Sequence, residues 1–319
     1  MDVPTTQRSI IISNGRCGST LLSDLIAEEP DTLSVQEFFT AVPWTPATER
    51  MDGRAYWAIL SSPRPEIATL CRLGLPPKEL RYPASGRWAD RLEHLPRILA
   101  ITLSKLTDDP DSLFDALGAR VNGFEEQTLA EHHQMFLDVL TELTGRRRWV
   151  ERSGGSSHFA QYLLRAVPTA RVVHLTRNWQ ETAVSMSRHP SYQLTELRIE
   201  ALSRFGLDPF EIEADQKVPA EMEQFLPQHL TVDLLRERGA DPRRYLGMCA
   251  FMSSQAEQAL ADSPPQHLLT MRYEDLVPDP VGELSRLGRF LQFADPDGWA
   301  LKGAGRVVRP AGEASAVAA

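Results

Sequence analysis

The chain has 319 residues, of which 42% are hydrophobic and 24% charged, and a formal net charge of −9. A chain this long can bury roughly 75% of its unfolded surface, and its composition excludes a disordered, collagen-like or coiled-coil protein. The acidic balance argues against general nucleic-acid binding, which needs a basic surface, but leaves room for a local basic site for a small anion. Cys17, Cys71 and Cys249 share no CxxC spacing and no histidine at zinc spacing, so a reducing compartment without disulfides is expected. No apolar run approaches the ~20 residues that span a bilayer, and Ile10–Ile12 is too short for a signal-peptide core. The chain reads as soluble and cytoplasmic.

Residues 9–13 form a short β-branched run that fits a buried parallel strand. A glycine-punctuated loop, Asn14 to Thr20, follows. Leu21, Leu22, Leu25 and Ile26 then recur at helical spacing. Leu33–Val35 is a second strand that runs into Gln36-Glu37-Phe38-Phe39. From Ala41 to Gly145 prolines alternate with helical segments, clearest over 92–106 and 129–143; this is a mostly helical insertion. Arg148–Glu151 is a strand, with a helix over 159–167. Residues 170–176 form the strongest strand, followed by a helix over 179–188 that ends near His189-Pro190. Pro190 to Asp241 reads as irregular, with an acidic patch at Glu211 to Asp215. A helix over 243–260, a strand over 267–272 and a helix over 281–291 complete the pattern, and the tail from Glu313 is Ala-rich. Strands alternating with helices predict an α/β fold with a parallel sheet of P-loop type. A single domain is expected, with its core at about 8–40, 146–190 and 243–293.

Two motifs carry chemistry. In Gly15-Arg16-Cys17-Gly18-Ser19-Thr20, a loop between strand and helix aims backbone N–H groups at one spot, and the helix N-terminus adds partial positive charge. Gly15 and Gly18 permit close approach, Ser19 and Thr20 add hydroxyl donors, and Arg16 adds a forked cation. GxxxxGK[ST] is absent, which disfavours a magnesium-dependent kinase. The bland alternative is an ordinary tight turn. The second motif is Arg177 at the carboxyl end of the strongest strand, where open α/β sheets bind ligands, with Ser185 two helical turns on. Such a pair can grip one phosphate; in isolation it could equally be a surface arginine and a helix serine.

Together the two motifs resemble those of sulfotransferases that use 3′-phosphoadenosine-5′-phosphosulfate (PAPS). Asn14–Leu22 is similar to the segment that holds the 5′-phosphosulfate in that family. Thr176–Ser185 is similar to the segment whose Arg and Ser hold the 3′-phosphate. Arg272-Tyr273-Glu274-Asp275-Leu276 resembles a late segment whose tyrosine lies near the adenine. The resemblance implies a cofactor site made of Gly15, Arg16, Cys17, Gly18, Ser19, Thr20, Arg177, Ser185 and Tyr273. It implies a hydroxyl acceptor and adenosine 3′,5′-bisphosphate as product, with no metal. Arg16 stands where cytosolic members have Lys, so the match is to the bacterial and carbohydrate-type branch.

The middle strand ends Glu151-Arg152-Ser153-Gly154-Gly155 and lacks the catalytic histidine that members of the cytosolic branch carry there. Glu37 is the candidate base, because Gln36-Glu37-Phe38-Phe39 resembles a segment of the trehalose-type sulfotransferases. Independently, a hydroxyl needs its proton removed in the transition state, and phenylalanines beside a carboxylate desolvate it. Glu37 and Arg16 are thus the catalytic candidates. His158 is the second choice as base and Arg152 an extra clamp on the sulfate. Arg306 and Arg309 weakly resemble a C-terminal segment that closes over the 3′-phosphate. His174 reads as a core residue, and His132 and His133 face different ways, against a shared metal. Two other functions stay open: a degenerate P-loop kinase, and a non-catalytic nucleotide-binding module. The acceptor, which could be a sugar, glycolipid, phenol or natural product, is not legible.

Overall fold

The computed structural model describes residues 6–42, 46–213 and 216–307. Five strands form one parallel sheet: β1 (Gln7–Ser13), β2 (Thr32–Gln36), β3 (Arg148–Arg152), β4 (Arg171–Thr176) and β5 (Leu268–Arg272). Their order is β2–β3–β1–β4–β5. The chain steps out to β2, returns to fill β3 beside β1, and then crosses to β4. Neighbours on the two sides of β1 therefore diverge at its carboxyl end, the place where open parallel sheets form a ligand crevice.

The period of two along each strand splits the core into two layers. Ile10 and Ile12 of β1, Trp149 of β3 and Val172 of β4 face a layer shared with the helical insertion. Ile11, Val150, Val173 and Met271 face the other layer, against α1 (Ser19–Ile26) and the late helices. Both faces are covered, which explains why these strands read as continuous apolar runs.

The expected strands and most expected helices are present. The helix over 129–143, α2 (Leu129–Leu143), has a capping box in which Thr128 and Glu131 satisfy each other's backbone groups. Two expectations fail. Residues 92–106 are three short pieces, Leu92–His94, Arg97–Ala100 and Leu103–Lys105. Pro96 lacks an N–H and pushes Leu95 into extended backbone, at ψ 123°. The stretch from Pro190 is not irregular throughout. A 16-residue helix runs from Pro190 to Phe205 and another from Val232 to Gly239. Pro190 is an initiator there, at the first helical position, and Gly206 terminates the helix at φ 68°. Asp215 and the tail from Glu313 lie outside the described residues.

One carboxyl group inside the sheet sets local geometry. Glu151 of β3 is fully buried. Its Oε1 accepts from Phe38 N (3.1 Å), Phe39 N (3.4 Å) and the Ser153 hydroxyl (2.7 Å). It thereby pins the turn that follows β2. Its Oε2 has no partner. Burial pushes its pKa up to about 8, against hydrogen bonds that lower it. The folded protein thus keeps this proton up to about pH 8, whereas the unfolded chain releases it near 4.5. Stability from this group is complete below the lower value and is lost as pH rises through the upper one. Glu151→Gln cannot ionise, so the wild-type stability advantage at about pH 5 should shrink by a few kcal/mol at about pH 8.5. Calorimetric melts of both proteins at the two pH values check this. A difference that is independent of pH would show that Glu151 does not hold the proton.

Candidate active site

The loop between β1 and α1 has the backbone of an anion cradle. Gly15, Arg16 and Gly18 have φ of 74°, 56° and 86°. The two glycines are required on contact grounds as well. A Cβ on Gly15 would lie 1.8 Å from the Tyr192 hydroxyl, and one on Gly18 would lie 2.6 Å from the Tyr273 ring. Arg16 holds its left-handed backbone without that excuse, at a cost of about 1–3 kcal/mol. Gly18 provides no side-chain cap for α1, so the first-turn N–H groups face the loop unused by the helix. Thr20 keeps its hydroxyl at this end of α1, where it accepts from Arg152 Nη2 at 3.3 Å. Ser19 and Cys17 are buried. The Cys17 thiol points into the apolar layer under the loop, and burial raises its pKa. Only its backbone can meet a ligand.

Arg16 joins the two motifs. Its Nε donates to Ser185 Oγ at 3.2 Å, and its carbonyl accepts from Arg177 Nη1 at 3.1 Å. Ser185 lies on α3 (Trp179–Ser187), whose N-terminus is capped by Asn178. Arg177 is nearly buried, with 7% of its side chain exposed, and pairs with Glu181 at 2.7 Å. Its guanidinium stacks over Tyr273 with 4.7 Å between the guanidinium carbon and the ring centroid. Tyr273 in turn covers Gly18. The β1 loop, the β4 end and the β5 end therefore meet at one place.

On the other flank of β1, Glu37 caps the end of β2. Its N–H donates to Arg152 O at 2.9 Å, continuing the β2–β3 ladder by one residue. Its own backbone then turns left-handed, at φ 59°. The carboxylate pairs with Arg152 Nη1 and accepts from Gly154 N (3.1 Å to each oxygen) and from the Thr40 hydroxyl (2.7 Å). Arg152 is 3% exposed. Its other donors go to Ser23 Oγ, Thr20 Oγ1 and Gln36 Oε1. Four of its five N–H groups are therefore spent on protein. Arg152 belongs to the site, but as the brace between Glu37 and the Thr20 end of the cradle.

The other candidates are engaged or buried elsewhere, except that His158 stays on the Gly155 backbone beside Gly15. His158 Nδ1 is bonded to Gly155 O at 2.5 Å, and burial pushes its pKa down to about 4. His132 and His133 are buried; the first bonds to Met51 O and the second lies between the Tyr56 and Tyr162 hydroxyls. His174 is buried in β4. Arg306 pairs with Glu28, past the end of α1 remote from the loop. Arg309 lies outside the described residues. Among those residues no cluster of three or more His, Cys, Asp or Glu side chains could hold a metal, and no helix is long and apolar enough to cross a membrane. Sequence reading missed Tyr192, Glu79, His189 and Thr40. Only Thr40, three residues after Glu37, carried a local signal.

The cradle fits a phosphate-bearing ligand on its own geometry: left-handed glycines that no Cβ could replace, an uncapped helix start and a forked cation. Gly18→Ala should cost stability on two counts, backbone strain and the Tyr273 contact. Gly74 has φ 69°, and a Cβ added to it would meet nothing within 4 Å, so Gly74→Ala bears the strain alone. Urea melts should show Gly18→Ala worse by about 1–3 kcal/mol. Equal losses would mean that Tyr273 does not press on the loop.

A family model described as "Sulfotransferase domain" matches residues 6–297. No curated protein matches the chain. Among solved structures, the chain is similar to a sulfotransferase domain from the curacin biosynthetic pathway, at 17% identity over 90% of this chain and 74% of that one, with a TM-score of 0.48. It is also similar to sulfotransferase STF9 from Mycobacterium avium, at 16% identity over 96% and 69%, with a TM-score of 0.46. For the sulfotransferase domain of the Synechococcus PCC 7002 olefin synthase, identity is 15% over 97% and 83%, with a TM-score of 0.42. The family match runs through the anion loop, the β4 end and the β5 end without a break, and on that match the chain belongs to the sulfotransferase family and is a sulfotransferase.

Proposed function

We propose that the chain transfers a sulfuryl group from PAPS to a hydroxyl acceptor, with Glu37 as general base. The observation that carries this reading is the Arg152 bridge. One buried guanidinium contacts both the Glu37 carboxylate and the Thr20 hydroxyl, so a carboxylate and an anion cradle stand side by side at the sheet's carboxyl end. Bound there, the donor supplies a sulfuryl group on a phosphate leaving oxygen. The loop amides and Arg16 neutralise negative charge at that oxygen, and they need no reorganisation to do so. Arg177 and Ser185 flank Arg16 and would hold the 3′-phosphate. Tyr273 lies between Arg177 and Gly18 and is only 9% exposed, so it would meet the adenine at its edge.

Glu37 accepts the acceptor's proton. Its two oxygens already receive four contacts, from Arg152, from Thr40 and, shared between both oxygens, from the single Gly154 N–H, so three donor hydrogens face four lone pairs. Three of those contacts come from a buried cation and a backbone amide. The fourth comes from the Thr40 hydroxyl, which has a second acceptor, Glu37 O, at 3.1 Å. Rotation of this hydroxyl frees Oε2 for the proton. Fixed donors hold the base in place while one movable donor opens it.

Glu37→Gln keeps an acceptor for Arg152 and Gly154 but cannot take a proton. It should lower kcat by about 10²–10⁴-fold and leave the affinity for adenosine 3′,5′-bisphosphate nearly unchanged. The loss should be larger for an alkyl alcohol than for an acidic phenol. Because Arg152 loses its buried counter-charge, the variant's melt is measured beside its turnover. A folded variant with near-normal turnover would remove Glu37 as the base. Arg177→Ala should weaken the bisphosphate by roughly 2–3 kcal/mol, and AMP by much less. Calorimetric titration of both ligands checks this, and a third arm with ATP–magnesium tests the kinase alternative. Equal losses for bisphosphate and AMP would show that Arg177 does not read the 3′-phosphate.

A further inference from the structure

Arg16, the cation of the cradle, already has an anionic neighbour that belongs neither to the sheet nor to the loop. Glu79 comes from the first insertion and places Oε1 3.6 Å from Arg16 Nη1. The contact with Arg16 is electrostatic, since the distance exceeds that of a hydrogen bond. The firm contact is elsewhere. Both Glu79 oxygens meet His189 Nε2, at 3.3 and 3.2 Å. His189 sits between α3, which bears Ser185, and the helix from Pro190 to Phe205. Its ring is 9% exposed, and its Nδ1 is buried without a partner. Glu79 is itself 20% exposed. Burial raises its pKa, but His189 and Arg16 outweigh that and hold it at about 2. A permanent carboxylate therefore stands beside the one loop cation that is one-third exposed.

We propose that Glu79 is a positioning residue for the cradle, a built-in anion that holds Arg16 in the free protein and yields it to the phosphate groups of the ligand. This rests on the reading of the loop as the donor site. A ligand carrying several negative charges must either share Arg16 with Glu79 or displace it. Sharing sets like charges side by side in a half-buried place. Displacement needs only a 3.6 Å electrostatic contact to break, because His189 keeps Glu79 anchored. The apparent affinity for the ligand is then reduced by the fraction of chains in which Glu79 holds Arg16. The residue thus selects for ligands with enough phosphate charge to win the exchange.

The test compares wild type with Glu79→Gln, which keeps an acceptor for His189, and with Glu79→Ala. Calorimetry measures adenosine 3′,5′-bisphosphate and, as an uncharged probe, adenosine. Both variants should bind the bisphosphate about tenfold tighter and adenosine as wild type does. A general loosening of the fold would weaken both ligands. Unchanged or weaker bisphosphate binding in the variants overturns the proposal while wild-type binding sustains the donor-site reading. If neither wild type nor variant binds the bisphosphate, the donor-site reading fails and this one fails with it. Hydrogen exchange gives a second readout. The Leu80 N–H bonds to Pro77 O and the Arg81 N–H to Ala100 O. Because His189 keeps Glu79 in place while Arg16 turns to the ligand, saturating bisphosphate should leave exchange at both unchanged in wild type, and faster exchange there would show that Glu79 itself is expelled, against the proposal.

Discussion

The buried contact between Arg152 and Glu37 is the constraint around which this end of the molecule is built. A guanidinium that is 3% exposed needs a counter-charge. Removing one partner of such a pair costs roughly 3–5 kcal/mol, because the other is left buried and uncompensated. The neighbouring details follow from that need. Glu37 turns left-handed, so that its backbone continues the β2–β3 ladder while its side chain comes back to the strand beside it. Glycine at 154 leaves room for the Glu37 carboxylate, which a Cβ there would approach to 3.2 Å. Gln36 and Ser23 turn their oxygens to the same guanidinium. One arginine thus fixes the end of β2, the start of α1 and the turn after β3.

The same logic repeats around the crevice. The chain is acidic overall, with net charge −9, yet three arginines converge on this region. Each has its own carboxylate: Glu37 for Arg152, Glu181 for Arg177 and Glu79 for Arg16. The three pairs differ in tightness. Arg152 and Arg177 are nearly buried and hydrogen-bonded to their partners, whereas Arg16 is one-third exposed and its partner stands off at 3.6 Å. Arg152 acts as fixed framework, and Glu181 fixes Arg177 where it would hold the 3′-phosphate. The third keeps its donors available.

What is legible in the sequence is what rests on local rules. β1 and β4 stand out as β-branched runs because both sheet faces are covered. The cradle is legible because left-handed backbone concentrates glycine, and α2 because its apolar face repeats over four turns. The failures are also local in origin. Pro96 is masked by the apolar run around it, and Pro190 reads as a breaker where it starts a helix. Arg152 is visible at a strand end, but its partners come from two other segments, the start of α1 and the end of β2, so a clamp on the ligand and a brace on the base look alike in sequence. Glu79 carries no signal at all. It lies 63 residues from Arg16 and 110 from His189, and no periodicity or motif spans such distances.

The sheet order has a consequence for how such a chain can vary over generations. The excursion from β2 to β3 leaves and returns on one flank of β1, and that from β4 to β5 on the other. The two are not independent modules, because Leu70 of the first shares an apolar cluster with Leu194, Leu197 and Phe225 of the second, and Glu66 pairs with Arg198 at 2.7 Å, so a change on one side of that seam must be matched on the other. Glu79 extends that seam to the loop after β1. It reaches from the first excursion to a loop cation and to a histidine of the second. A change of charge at position 79 alters the surroundings of both 16 and 189 at once.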